Sequence, residues 1–185
     1  MNFMQRVLVP LAPGFEEIEA VTVVDVLRRA GAEVTTAGTL PGLIRGSRGV
    51  QIQPDCLLES VRSADFDWLV LPGGGEGVSN LKKNPHLTAL LGAFTESGKP
   101  IGAICAAPSL LAAQGLLCGK NATSHPSVRK EVADSAVYSE KAVVVDGKLI
   151  TSRGPGTAMA FALTLAEKIA GPEKTAQLRQ AMLAG

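Results

Sequence analysis

Histidine is nearly missing from this sequence: His86 and His125 are the only two. Cysteine is scarce as well, with Cys56, Cys105 and Cys118 at irregular spacing. That pairing of shortages argues against a zinc centre and against a disulfide framework, so no metal is expected. Aromatic residues make up 4%, and 18 basic side chains nearly balance 17 acidic ones with no basic cluster. No nucleic-acid footprint is present in that balance. The longest apolar stretch, Ile101 to Ala113, is too short to span a bilayer and is broken by Pro108. The N-terminal apolar stretch is interrupted by Pro10 and Pro13 and runs into Glu16-Glu17, unlike a secretory signal. A reduced, cytoplasmic protein without membrane contact or organic cofactor is the expectation.

What is present is apolar material at regular intervals. Hydrophobic residues reach 46% and charged ones 19% over 185 residues, enough for one domain spanning 1–185. Arg6 to Leu11, Glu33 to Gly38, Asp67 to Pro72 and Ile101 to Cys105 read as strands, and Val50 to Gln53 as a short edge strand. Ala142 to Thr151 reads as a small hairpin with Asp146-Gly147 as a type I′ turn. Glu16 to Arg29, Asn84 to Ser97, Ala106 to Gln114, Ser127 to Ala133, Ala158 to Ala170 and Glu173 to Leu183 read as helices. Strands alternating with helices predict an α/β fold with a mainly parallel sheet covered on both faces. The first helix is apolar nearly all round, through Val21, Val23, Val24, Val26 and Leu27. That predicts burial on two sides, one against the sheet and one against a partner subunit.

Cys105 falls on the corner between a strand and a helix, with Ala103 and Ala107 two positions either side. Small residues there suit a sharp turn like the Gly-x-Ser-x-Gly elbow that presents a nucleophile above a sheet. A helix N-terminus favours thiolate, so Cys105 is expected to be more acidic than a free cysteine. The competing reading is a small buried hydrophobe, which suits Cys56 and Cys118.

In parallel sheets, ligands bind beyond the carboxyl ends of the strands. The segment of Glu16 to Glu19, the Gly73-Gly74-Gly75 turn, the Cys105 corner and the segment through His125 all follow strands, and are expected to meet at that edge. Glu19 lies where the helix turns inward, so its carboxyl is expected to have a raised pKa and to stay protonated beside a thiolate. Glu16 and Glu17 suit a solvated first turn. The N–H groups of Gly74 and of Ala106 form a candidate oxyanion hole, against the alternative of a plain tight turn. His125 is either a base or proton shuttle for Cys105 or a structural residue. Arg28 and Arg48 are candidates for steering an anionic or dicarbonyl substrate, or are solvated surface residues.

Together these motifs resemble the ThiJ/PfpI superfamily, in the branch that holds the Parkinson-disease-associated protein deglycase and the bacterial chaperone YajL. The resemblance rests on Ala12-Pro13-Gly14-Phe15-Glu16-Glu17-Ile18-Glu19-Ala20, Asp25-Val26-Leu27-Arg28-Arg29-Ala30-Gly31 and Leu71-Pro72-Gly73-Gly74. It continues through Ala103-Ile104-Cys105-Ala106-Ala107-Pro108, Thr123-Ser124-His125-Pro126 and Thr151-Ser152-Arg153-Gly154-Pro155-Gly156-Thr157. The resemblance implies a flavodoxin-like three-layer sandwich and a homodimer through the first helix. It implies Cys105 as nucleophile, Glu19 as its carboxyl partner, His125 nearby, and neither metal nor organic cofactor. The implied activity is a cofactor-independent glyoxalase or deglycase acting on methylglyoxal, glyoxal and their early adducts with proteins and nucleotides. The implied alternatives are a redox sensor or chaperone using a Cys105 sulfinate and, more remotely, a cysteine amidohydrolase or protease. An amidohydrolase would want an acid two residues after the histidine, where Ser127 stands. Some members carry cysteines where this chain has Gly46 and Gln53, so auxiliary thiol regulation there is lost.

Overall fold

The structure, a computed structural model, describes residues 4–184. The ends of the expected 1–185 domain, residues 1–3 and 185, lie outside the described residues. The chain opens with β1 (Arg6–Leu11), α1 (Glu17–Arg29) and β2 (Glu33–Gly38). Glu16 caps α1, its carboxylate accepting the Glu19 N–H at 2.9 Å. Next come three two-residue strands, β3 (Ile44–Arg45), β4 (Gln51–Ile52) and β5 (Cys56–Leu57). After β6 (Trp68–Leu71) the chain forms α2 (Gly75–Lys82) and α3 (Pro85–Glu96), the latter capped by Asn84 with proline in its first turn. Then follow β7 (Ile101–Ile104), α4 (Pro108–Ala113), β8 (Asn121–Ala122), α5 (Arg129–Ala133) and β9 (Val137–Tyr138). The chain ends with β10 (Val143–Asp146), β11 (Leu149–Ser152), α6 (Ala158–Ala170) and α7 (Pro172–Ala181).

The main sheet has seven strands in the order β10-β11-β7-β6-β1-β2-β5. All its pairings are parallel except that of β10 with β11. Counting only β1, β2, β6, β7 and β11, the order is 2-1-3-4-5, the flavodoxin-like arrangement, with its switch point between β1 and β6. Alternation along the strands builds two cores. Val7, Val9, Leu11, Val70 and Ile104 join the layer of α1 and α6, whereas Leu8, Leu69, Leu71 and Ala103 join the layer of α2, α3 and α4. The expected three-layer sandwich is therefore what forms.

Several expectations change on tertiary grounds. The 50–53 stretch does not edge the main sheet; β4 pairs antiparallel with β3 in a separate ribbon, and the sheet edge falls to β5. The hairpin pairs Asp146 with Leu149, so its two-residue loop is Gly147-Lys148. Only the first of these has positive φ, at +59°, which is the type II′ pattern in place of type I′. The glycine run, expected as a turn or an oxyanion hole, also opens α2 at Gly75. The helix after the Cys105 corner begins at Pro108, two residues later than expected. On α1, one side packs against α6 and the sheet, but Ile18 and Val21 stay 56% and 48% exposed.

Candidate active site

Cys105 directly follows strand β7, and its backbone takes φ +65°, a left-handed conformation that side chains rarely adopt. Neighbours hold it there. Its N–H donates to Ser152 O on β11 at 2.9 Å, and its carbonyl accepts the His125 N–H at 2.8 Å. A turn closes behind it, with the Ala107 N–H donating to Ile104 O at 3.0 Å. Strain of this kind costs about 1–3 kcal/mol and persists only where the surroundings over-determine it. The corner points the side chain toward the α1 layer, where the residue is 9% exposed.

Glu19, on the first turns of α1, is fully buried at 0% exposure. Its Oε2 accepts the Gly73 N–H at 2.8 Å. Its Oε1 is buried with no hydrogen-bond partner among the described residues. Burial raises the carboxyl from its ordinary 4.5 to about 7; the Gly73 N–H and the Cys105 thiol draw it down and Glu16 pushes it further up. The expected raised pKa is thus present.

The expected acid shift of Cys105 is not. Burial first, then the charge of Glu19 and its hydrogen bond, push the thiol up to about 12. The N–H groups of Gly74 and Ala106 face the sulfur and pull the other way. The helix behind the corner is too short and starts too late to reverse the balance. The two groups are coupled, and the carboxyl gives up its proton well before the thiol does. Protonating Glu19 removes the like charge that opposes the thiolate, and the two backbone donors favour the anion.

The loop after β6 makes this contact possible. A Cβ on Gly73 would come within 2.6 Å of both the Cys105 Cβ and Glu19 Oε2. Gly74 has φ +92°, and a Cβ there would stand 2.2 Å from Gly14 O. Only bare backbone fits between the two loops. The Glu16 N–H donates to Gly73 O at 3.0 Å and binds the loops together.

The structure thus brings Cys105, Glu19, Gly74 and Ala106 together, with His125 joined to the corner through its backbone. The His125 imidazole is not bonded to the sulfur: its Nδ1 accepts the Ser127 N–H at 3.2 Å and lies 2.8 Å from Ser127 Oγ. Arg28 lies away from this edge, donating to Val34 O at 2.9 Å and to Asp55 at 3.3 Å. Glu17 is not solvated. It is buried and binds the ribbon loop, accepting from Ser47 Oγ at 3.0 Å and from the Arg48 N–H at 2.5 Å. Gly73 was singled out only as part of a turn, and Glu17 only as a surface acid. Their roles depend on partners far away in the chain.

A doubly wound α/β sheet with a strained cysteine at a strand–helix corner, backed by a buried acid, defines a class of thiol-centred proteins. Within that class, residues 5–168 match the model of the DJ-1/PfpI family, and the chain belongs to it. Protein dj-1beta of Drosophila melanogaster is 47% identical over 178 residues, covering 95% of each chain. The crystal structure of that Drosophila protein superposes with a TM-score of 0.95 at 45% identity, covering 99% of this chain and 100% of its own. A Caenorhabditis elegans relative named glutathione-independent glyoxalase DJR-1.2 is 40% identical, covering 88% of this chain and 87% of its own.

Proposed function

We propose that this protein is a cofactor-independent glyoxalase that turns methylglyoxal into lactate through Cys105. The observation that carries the reading is the left-handed Cys105 corner, with its sulfur beside the buried Glu19 carboxyl and facing the N–H groups of Gly74 and Ala106. The name of the nematode relative supports the same chemistry. The Cys105 thiolate adds to the aldehyde carbon, the C–S bond forms, and the oxygen takes the proton from Glu19. Glu19, now a carboxylate, removes the remaining C–H proton and returns it to the neighbouring carbon while the hydroxyl proton passes to the second oxygen. The product is a lactoyl thioester. Water adds its hydroxyl to the acyl carbon, gives its proton to Glu19, and the thiolate leaves. The same addition extends the reading to a deglycase acting on glyoxal and on early adducts of proteins and nucleotides.

A second reading is favoured by the donors that face the sulfur. Peroxide would convert the thiolate to sulfinate, two molecules supplying two oxygens and leaving as two waters, with the Gly74 and Ala106 N–H groups receiving the new oxygens. A homodimer through α1 belongs to the proposal too, supported by the exposed Ile18 and Val21 on that helix.

Lactate formation from methylglyoxal without glutathione, in the native chain and in Cys105→Ser, tests the reading. Turnover is expected to fall by at least about 1000-fold in the variant, given what a covalent nucleophile contributes. Equal turnover in both would overturn it.

A further inference from the structure

His125 stands next to the reactive corner, yet its hydrogen bonds are the reverse of those of a catalytic base. In a histidine base, Nδ1–H donates to a carboxylate and Nε2 carries the lone pair that takes the proton. Here Nδ1 receives the Ser127 backbone N–H at 3.2 Å. A backbone N–H can only donate, so Nδ1 holds the lone pair and the neutral ring carries its hydrogen on Nε2. Ser127 Oγ sits 2.8 Å from the same nitrogen. The Val128 N–H closes the turn onto His125 O at 3.1 Å, and Pro126 stiffens it. No carboxylate bonds to the ring among the described residues. The opposite edge of the imidazole, at Cδ2, lies beside Gly154, whose Cβ position is 3.5 Å away.

We propose that Ser127 is a positioning residue that holds His125 as the Nε2–H tautomer, making the imidazole a hydrogen-bond donor in place of a proton acceptor. The substrate half of this inference rests on the glyoxalase reading; the tautomer half stands without it. In a vicinal dicarbonyl, the thiolate takes the aldehyde carbon and leaves the second carbonyl oxygen to gather negative charge when Glu19 removes the C–H proton. An Nε2–H donor suits that oxygen. Glu19 then carries the carbon-bound proton alone. The substrate class that uses both groups is the 2-oxoaldehyde, and a simple aldehyde leaves the histidine unused.

The test has two parts. Long-range 15N–1H correlation spectra of the full chain are expected to show His125 Nδ1 as the unprotonated nitrogen, and Ser127→Asp is expected to move the hydrogen onto it. A wild-type ring protonated at Nδ1 would overturn the assignment. For kinetics, His125→Gln keeps an N–H donor at the reach of Nε2, whereas His125→Asn keeps the cap acceptor but has no donor there. Methylglyoxal kcat is expected to survive in His125→Gln and to fall about 100-fold in His125→Asn, with KM little changed. Equal losses in both variants, or loss of a pH-dependent limb in His125→Gln, would overturn the donor role. If the wild type turns over no methylglyoxal, the glyoxalase reading and the substrate half fail, while the spectra alone decide the tautomer.

Discussion

At Cys105 the backbone conformation and the electrostatics pull against each other. The corner presents the sulfur, while burial and the Glu19 carboxylate discourage its ionisation. Replacing Glu19 by glutamine removes the like charge and keeps a donor. The thiol of Glu19→Gln is therefore expected to titrate below about 12, as read by thiolate absorbance against pH. An unchanged titration would show that the Glu19 charge does not act on the sulfur. The same pair makes a stability statement. A folded carboxyl raised from 4.5 to about 7 contributes stability that is full below 4.5 and lost as pH rises through 7. Over that window the native chain is expected to lose about 3 kcal/mol relative to Glu19→Gln. Paired denaturant melts at pH 4 and pH 8 would measure it.

Among the elements, the β3–β4 ribbon is joined to α1 by one carboxylate, beside the backbone bonds of Gly14 N–H to Arg45 O and Ser47 N–H to Phe15 O, both 2.8 Å. Glu17 is buried, which alone would raise its pKa, yet the Arg48 N–H and Ser47 Oγ bind its anion and the net shift is downward. The sign is opposite to that of Glu19. The stabilisation is present above the ordinary carboxyl pKa and is lost as pH falls through the depressed folded value. Glu17→Ala is expected to loosen Gly46 to Val50 selectively, with amide exchange there rising at least about tenfold while β1 and β7 stay protected. Uniform loss of protection across the sheet would show that the contact supports the whole fold and not the ribbon.

At the scale of the whole molecule, the outward face of α1 carries the proposed dimer contact. Val21 is 48% exposed on a helix whose other side is fully packed. If a second copy covers that face, Val21→Glu buries an unpaired charge and is expected to halve the sedimenting mass without altering the fold. A native chain that sediments as a monomer would remove the dimer.

Local pattern alone carried the alternation of strands and helices, the placing of Cys105 at a corner and that of Glu19 on an inward turn. Periodicity and chain stiffness act over a few residues, so such features are legible without coordinates. The partners of those groups come from tertiary contacts. The Gly73 N–H that grips Glu19 lies 54 residues away from it, and Glu17 finds its partners about 30 residues on, at Ser47 and Arg48. The raised carboxyl, the raised thiol and the ribbon anchor are set by burial and by groups brought in from other loops, and no spacing in the chain encodes a field whose sources are that far apart.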